Sequence, residues 1–168
     1  NFSSVNWGFL SEESNKYNLE NEIKNPWLWV LDPLDGTRDF IQGTRDFAMH
    51  LALNYKNKPY LGIVLIPSRN ELWICNGNKT WCESQEGIKI KPNLSHNKNL
   101  KEMILVTSKN HQNYFLKNLI SKIGFKENLL MGSVGCKISS ILRGESDIYI
   151  SASLPGKSAP KDWDFAAP

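Results

Sequence analysis

A chain of 168 residues with 40% hydrophobic and 22% charged side chains has the composition of an ordinary globular protein, enough for one domain or two small ones. Its formal charge of +3 is a mild excess and its lysines are scattered, so nothing indicates a nucleic-acid polymer, and a small anionic substrate suits the balance. No apolar run approaches the ~20 residues needed to span a bilayer, and no signal peptide opens the sequence.

In chain order, Ser11-Glu12-Glu13-Ser14 places an acidic pair near the start, which alone is ordinary for a helix cap or a solvated face. Trp27 to Leu31 is an apolar run between Pro26 and Pro33 and predicts a strand buried on both faces. Asp32-Pro33-Leu34-Asp35-Gly36-Thr37 then reads as a tight turn. From Phe47 to Tyr55 the residues Phe47, Met49, Leu51 and Leu53 alternate with Ala48, His50, Ala52 and Asn54, the period of a strand. Turns at Lys56–Pro59, Pro67–Asn70 and Asn76-Gly77 separate three further strands: Tyr60–Ile66, Glu71–Cys75 and Thr80–Glu83. Together these predict an antiparallel meander.

Beyond the polar stretch Lys91–Asn99 the pattern changes, and a boundary is expected there, giving portions 1–95 and 96–168. Met103–Thr107 and Leu129–Met131 predict short strands. Asn113–Ile123 sets Phe115, Leu116, Leu119, Ile120 and Ile123 on one helical face, with Gly124 as its stop. Lys137–Arg143 places Ile138, Ile141 and Leu142 at helical spacing, and Asp147–Ser151 predicts a last strand before the Leu154–Pro160 loop. Alternating strands and helices predict an α/β layer. The fold class expected is thus a layered α+β or α/β sandwich, an antiparallel meander sheet followed by an α/β portion. Trp163–Pro168 reads as the opening turn of a helix with nothing to pack on, so the chain is expected to be a fragment lacking both ends.

The three cysteines, Cys75, Cys82 and Cys136, lack the spacing of zinc sites. A reduced, cytoplasmic protein is the plain reading. Cys75 and Cys82 flank the predicted hairpin, which leaves a disulfide between them as an alternative. His50, His96 and His111 show no partner spacing and read as structural or surface residues.

The chemistry concentrates after the buried strand. Asp32 stands at its carboxyl end, where α/β proteins place ligands, and Asp35 follows after a proline that fixes the turn. Two carboxylates held so close repel unless a proton or cation lies between them, and an all-oxygen, highly charged set favours a hard ion such as Mg²⁺ or Mn²⁺. Gly36 and Thr37 offer backbone N–H groups to a phosphate oxygen. Taken alone, Asp-Pro-x-Asp-Gly is also ordinary turn chemistry. An EF-hand fails, because the acids do not fall at alternate positions and no glutamate closes a loop. Lys161-Asp162-Trp163-Asp164 adds an acid at a helix start beside a large aromatic, which alone could be a simple cap with a core tryptophan.

Trp29-Val30-Leu31-Asp32-Pro33-Leu34-Asp35-Gly36-Thr37, Trp163-Asp164-Phe165-Ala166-Ala167 and the Glu12-Glu13 pair that precedes them together resemble the lithium-sensitive, metal-dependent phosphatase superfamily that includes inositol monophosphatase. The resemblance is ordered and runs from Glu12 to Pro168. It implies the sugar-phosphatase fold and a shared site for two or three Mg²⁺ ions. Glu12, Asp32 and the Leu34 carbonyl would hold one ion, and Asp32, Asp35 and Asp164 a second. Glu12 would help position a water on a third, weaker ion with Glu13 close by, and Gly36 and Thr37 would bind the scissile phosphate. Glu12, Asp35 and Thr37 are then the residues expected to carry catalysis. The family places a further acid upstream of the Glu-Glu pair, and no residue here fits it, so the piece is expected to be incomplete as a catalyst.

Within the superfamily, Thr37-Arg38-Asp39-Phe40 is similar to the bisphosphate nucleotidase branch, as are Gly135-Cys136-Lys137-Ile138, Gly144–Tyr149 and the Ser151–Lys161 loop. That branch implies 3'-phosphoadenosine 5'-phosphate as substrate, AMP and phosphate as products, and a place in sulfur assimilation. Lys137, Arg38 and Lys161 become candidates for the second phosphate, although a lysine on the polar side of a helix is the plainer account of Lys137, and Arg38 also suits an exposed ion pair. An inositol or other sugar phosphatase is the nearest rival. A non-catalytic interaction module on the same fold is the rival of another class. A small phosphorylated metabolite is the partner expected, and a homodimer is compatible with it.

Overall fold

The structure is a computed structural model that describes residues 7–13, 24–97, 99–153 and 161–168. Its larger sheet has seven strands in sequence order. They are β1 (Trp7–Ser11), β2 (Trp27–Asp35), β3 (Ala48–Tyr55), β4 (Lys58–Ile66), β5 (Glu71–Cys75), β6 (Thr80–Glu83) and β7 (Lys89–Ile90). From β2 onward neighbours are antiparallel, as the meander pattern predicts. The first strand is an element the sequence pattern did not predict, and it lies parallel to β2 with Trp7 opposite Trp27. A smaller parallel sheet, in the order β10-β8-β9, joins β8 (Ile104–Ser108), β9 (Glu127–Met131) and β10 (Ile148–Tyr149).

Four α-helices accompany the sheets among the described residues: α1 (Thr37–Ile41), α2 (Tyr114–Ile123), α3 (Val134–Leu142) and α4 (Asp162–Phe165), besides a 3-10 turn at Pro67–Arg69. Asn113 caps α2 by accepting the Leu116 N–H at 2.8 Å, and Gly124 ends it in the left-handed region at φ 70°. Leu116 is buried, whereas Phe115, expected on the same apolar face, is 58% exposed at the edge of that stripe. Ser133 caps α3 by accepting the Cys136 N–H at 3.2 Å.

The faces of the large sheet follow the period of two. Leu28 and Val30 of β2 join Leu10 and Ala52 in a buried cluster, against which Trp163, Ala166 and Ala167 pack. A neighbouring cluster of Ala48, Val64, Ile66, Trp73, Cys82 and Cys136 lies beneath α3. Gly62 lets α4 come close: a Cβ there would stand 2.5 Å from the Ala167 carbonyl oxygen. On the opposite face Trp27 gathers Trp7 at 5.7 Å and Tyr55 at 4.4 Å between ring centres.

Several expectations need correction. The strand of the apolar run does not stop at Leu31 but continues to Asp35, its pairing with β3 broken by a register shift between Asp32 and Asp35. In β3 the tightly buried set is Ala48, His50 and Ala52, the set read as the small and polar face, because α3 packs against that side. In α3 the buried residues include Lys137, Ser139 and Ser140, while Ile138, Ile141 and Leu142 are half-buried. The last strand shrinks to Ile148–Tyr149. The reading of the cysteines as reduced needs no correction, since all three are free. Cys75 faces Thr80 and Cys82 faces Trp73, a diagonal relation roughly 7–8 Å across that no disulfide spans. The predicted Leu154–Pro160 loop lies outside the described residues.

Candidate metal centre

Asp32 continues the alternation that buries Leu28 and Val30, so the core face of β2 ends on a carboxylate. It is 1% exposed, opposite His50 on β3, and its Oδ1 accepts the Leu34 N–H at 3.0 Å. The register shift then brings Asp35 opposite Ala48 and turns it toward the start of α3. Its Oδ2 accepts the Ser133 hydroxyl at 2.7 Å and the N–H groups of Val134 and Gly135. Ser133 therefore both caps α3 and fixes Asp35.

Asp164 arrives from the far end of the chain on α4, where its carboxylate accepts the Lys161 N–H. One oxygen each from Asp32, Asp35 and Asp164 lies within 4.8 Å of the others. Glu12, just past β1, hydrogen-bonds the Asp32 carboxyl and adds a fourth acid.

Such a cluster resists ionisation. Burial, then repulsion from Asp35, Glu12 and Asp164, pushes the Asp32 carboxyl up to about 7. Burial also raises Glu12, with Asp164, Glu13 and Asp35 adding to it, and raises Asp164, with Asp35 as the main neighbouring charge. Converging acids that repel one another in a pocket of oxygen donors fit a hard divalent cation, and nothing in the donor set suits a soft metal. These residues could hold a metal ion.

A cleft of about 600 Å³ opens over the acids. Glu12, Asp35, Gly36, Thr37, Arg38, Lys137, Lys161 and Asp164 all line it. Asp32 lies beneath, and the Leu34 carbonyl accepts the Thr37 hydroxyl at 3.0 Å. Gly36 takes φ 87°, and a Cβ there would stand 2.5 Å from the Asp46 carbonyl oxygen, so no other residue can make this turn unstrained. The structure thus brings Glu12, Asp32, Asp35, Asp164 and the Gly36–Arg38 turn to one place with Lys137 and Lys161, while Glu13 is exposed and does not line the cleft.

Lys137 corrects the plainer expectation of a solvated lysine. It is 2% exposed, its Nζ donates to the Gly132 carbonyl at 2.8 Å, and the ammonium lies 5.4 Å over the Tyr149 ring. Burial lowers its pKa, opposed by Asp35 and Asp164. Arg38 and Lys161 are exposed on the cleft's rim.

His50 is the residue that sequence reasoning missed. Its Nε2 lies 3.3 Å from the Asp35 Oδ2, and burial lowers its pKa despite the attraction of Asp35, which favours the neutral imidazole. Gly135 makes room for it, since a Cβ there would stand 2.4 Å from Nε2. Its place in the alternation puts it on one face with Ala48 and Ala52 but does not say what that face meets.

The inositol monophosphatase family model matches residues 5–168. Among curated proteins the chain is similar to the 3'(2'),5'-bisphosphate nucleotidase CysQ of Buchnera aphidicola, with 32% identity over 160 residues, covering 94% of this chain and 56% of the relative. It is 27% identical over 151 residues to CysQ of Escherichia coli, covering 87% and 56%. Among solved structures it superposes on CysQ from Bacteroides thetaiotaomicron with a TM-score of 0.76 at 25% identity, covering 99% of this chain and 65% of that one. Inositol monophosphatase II from Staphylococcus aureus gives a TM-score of 0.75 at 26% identity, covering 96% and 59%. The chain spans about half the length of the curated relatives it matches.

Proposed function

This chain belongs to the inositol monophosphatase family, and from that premise we propose that the protein carrying it is a Mg²⁺-dependent phosphomonoesterase that removes the 3'-phosphate of 3'-phosphoadenosine 5'-phosphate. The observation that carries the phosphatase reading is the convergence of Asp32, Asp35 and Asp164 with their oxygens within 4.8 Å. The likeness to bisphosphate nucleotidases supports the substrate.

In this reading Asp32, Asp35, Asp164, Glu12 and the Leu34 carbonyl would hold two or three ions. Bound divalent cations supply Lewis acidity there, lowering the pKa of water and neutralising phosphate charge. The chain's own residues do the positioning. Gly36 and Thr37 direct backbone N–H groups at the phosphate oxygens, and Asp35 is held rigid by three donors from the start of α3. Glu12 orients the water whose oxygen bonds to phosphorus as the P–O3' bond breaks, and the proton released ends on the 3'-hydroxyl of AMP. Lys137 sets a positive charge under the cleft, and Arg38 and Lys161 on the rim meet the second phosphate. A cytoplasmic home accords with three free cysteines.

An inositol phosphatase is the second reading, supported by the likeness to the Staphylococcus aureus enzyme. A phosphate-release assay of the complete protein with Mg²⁺ separates the two. The proposal expects turnover of 3'-phosphoadenosine 5'-phosphate and little of inositol 1-phosphate. The reverse preference overturns the substrate, and no release from any ester overturns the enzyme.

A further inference from the structure

One buried carboxylate near the cleft belongs to neither the acid cluster nor the lining. Asp39, in the middle of α1, is 0% exposed and has every oxygen occupied. Its Oδ1 accepts the Thr44 hydroxyl at 2.7 Å and the Lys109 ammonium at 2.9 Å, and its Oδ2 accepts the Asn110 side-chain amide at 3.1 Å. A Cβ on Gly132 would fall 2.1 Å from the same Oδ2, so the turn between β9 and α3 has a glycine where it meets Asp39. Burial alone would raise this carboxyl, but Lys109, Thr44 and Asn110 outweigh it and leave its pKa below the ordinary value. It is an ionised hub at a three-way junction.

The three arms are the walls of the cleft. Thr37 and Arg38 lie on α1, directly before Asp39. Asn110, Gln112 and Asn113 line the cleft from the turn between β8 and α2. Gly132 lines it too, and its carbonyl accepts from Lys137. Lys109 also ties this turn to β9 through its N–H on the Met131 carbonyl at 3.0 Å. A hydrogen-bonded ion pair with one side fully buried holds its partners far more firmly than an exposed pair does.

We propose that Asp39 is a positioning residue that registers the Lys109–Asn113 rim against the phosphate turn, and so sets which alcohol the enzyme accepts on its phosphate ester. The inference rests on the phosphatase reading above and goes beyond it. The acid cluster handles any phosphate, whereas the rim meets the group the phosphate is attached to. A rim released from Asp39 still faces a working phosphate site but no longer presents its amides at a fixed distance. A misplacement of about 1 Å in such a positioning contact costs rate or affinity by one or two powers of ten.

The test compares two esters in the complete protein with Mg²⁺: 3'-phosphoadenosine 5'-phosphate, and phenyl phosphate, which is too small to reach the rim. Asp39→Ala is expected to raise KM for the nucleotide roughly tenfold while kcat and the phenyl phosphate kinetics stay within about twofold. Asp39→Asn, which keeps one acceptor oxygen, recovers part of the loss. Lys109→Met removes one arm without touching the cleft or the core, and is expected to raise the nucleotide KM by roughly threefold. It carries the test alone if Asp39→Ala does not fold. Equal losses on both esters, or no change in the nucleotide KM, overturn the inference. If the unmodified protein hydrolyses neither ester, the phosphatase reading fails first and takes this inference with it.

Discussion

Replacing Asp32 with asparagine should stabilise the protein in a chelator at pH 8 and remove its response to Mg²⁺. Asp32 is 1% exposed, and burial with repulsion from Asp35, Glu12 and Asp164 pushes its carboxyl up to about 7. Against its ordinary value of 3.8, keeping it ionised in the fold costs about 4 kcal/mol. Solvent and counter-ions reaching through the open cleft screen part of this, which leaves about 2 kcal/mol. The folded state binds the Asp32 proton more tightly than the unfolded chain. The stability this proton confers is therefore complete below pH 3.8 and is lost as pH rises through about 7.

Asparagine cannot ionise, yet its oxygen can still accept the Leu34 N–H. Thermal unfolding followed by circular dichroism should show Asp32→Asn roughly 4–8 °C above wild type at pH 8 in chelator, and the gap should shrink to roughly a third of that at pH 5. Saturating Mg²⁺ at pH 8 should raise the wild-type Tm and leave the variant nearly unmoved. A variant less stable than wild type in chelator at pH 8, or an equal Mg²⁺ response in both, would refute the electrostatic reasoning.

Asp35→Asn should lower turnover by more than about 100-fold while shifting Tm by only a few degrees, because an amide oxygen can still accept the donors from α3. Kinetics and melting on the same preparation check it, and retained turnover would contradict the assigned ligand. Gly135→Ala drives a methyl to within 2.4 Å of His50 Nε2 and 2.7 Å of Val64 Cγ1, and urea unfolding should show a loss of about 1–3 kcal/mol. Arg143 donates to Glu71 at 2.7 Å and to Glu145 at 2.8 Å, tying the end of α3 to β5. Arg143→Ala should cost about 2–3 kcal/mol, part of which Glu71→Gln restores in the double variant.

The meander was legible because each of its strands alternates and each turn carries its own residues, such as Asn76-Gly77. The acids were legible for a similar reason: Asp32 stands two residues beyond Val30 on the core face, so its burial follows from the period. His50 was not, since one histidine in an alternating strand carries no mark of what will face it. Its meaning depends on α3 packing over β3, a contact between segments more than 80 residues apart that leaves no local trace. Lys137 was misjudged for the same cause. Helical spacing put the three apolar residues of α3 inside, but that helix buries its small and polar side between the sheet and the cleft. Strand β1 escaped because Trp7–Ser11 is short and lacks turn signals of its own, and only its pairing with Trp27–Leu31 makes it a strand. Asp39 could be read as a mark of one family branch, but its junction of Thr44, Lys109 and Asn110 exists only in three dimensions.

Diffraction from crystals of the complete protein soaked in Mn²⁺ tests the metal centre most directly. An anomalous peak coordinated by carboxylate oxygens of Asp32, Asp35 and Asp164 is the result expected. No peak among those three residues, with phosphatase activity still dependent on the metal, would contradict it.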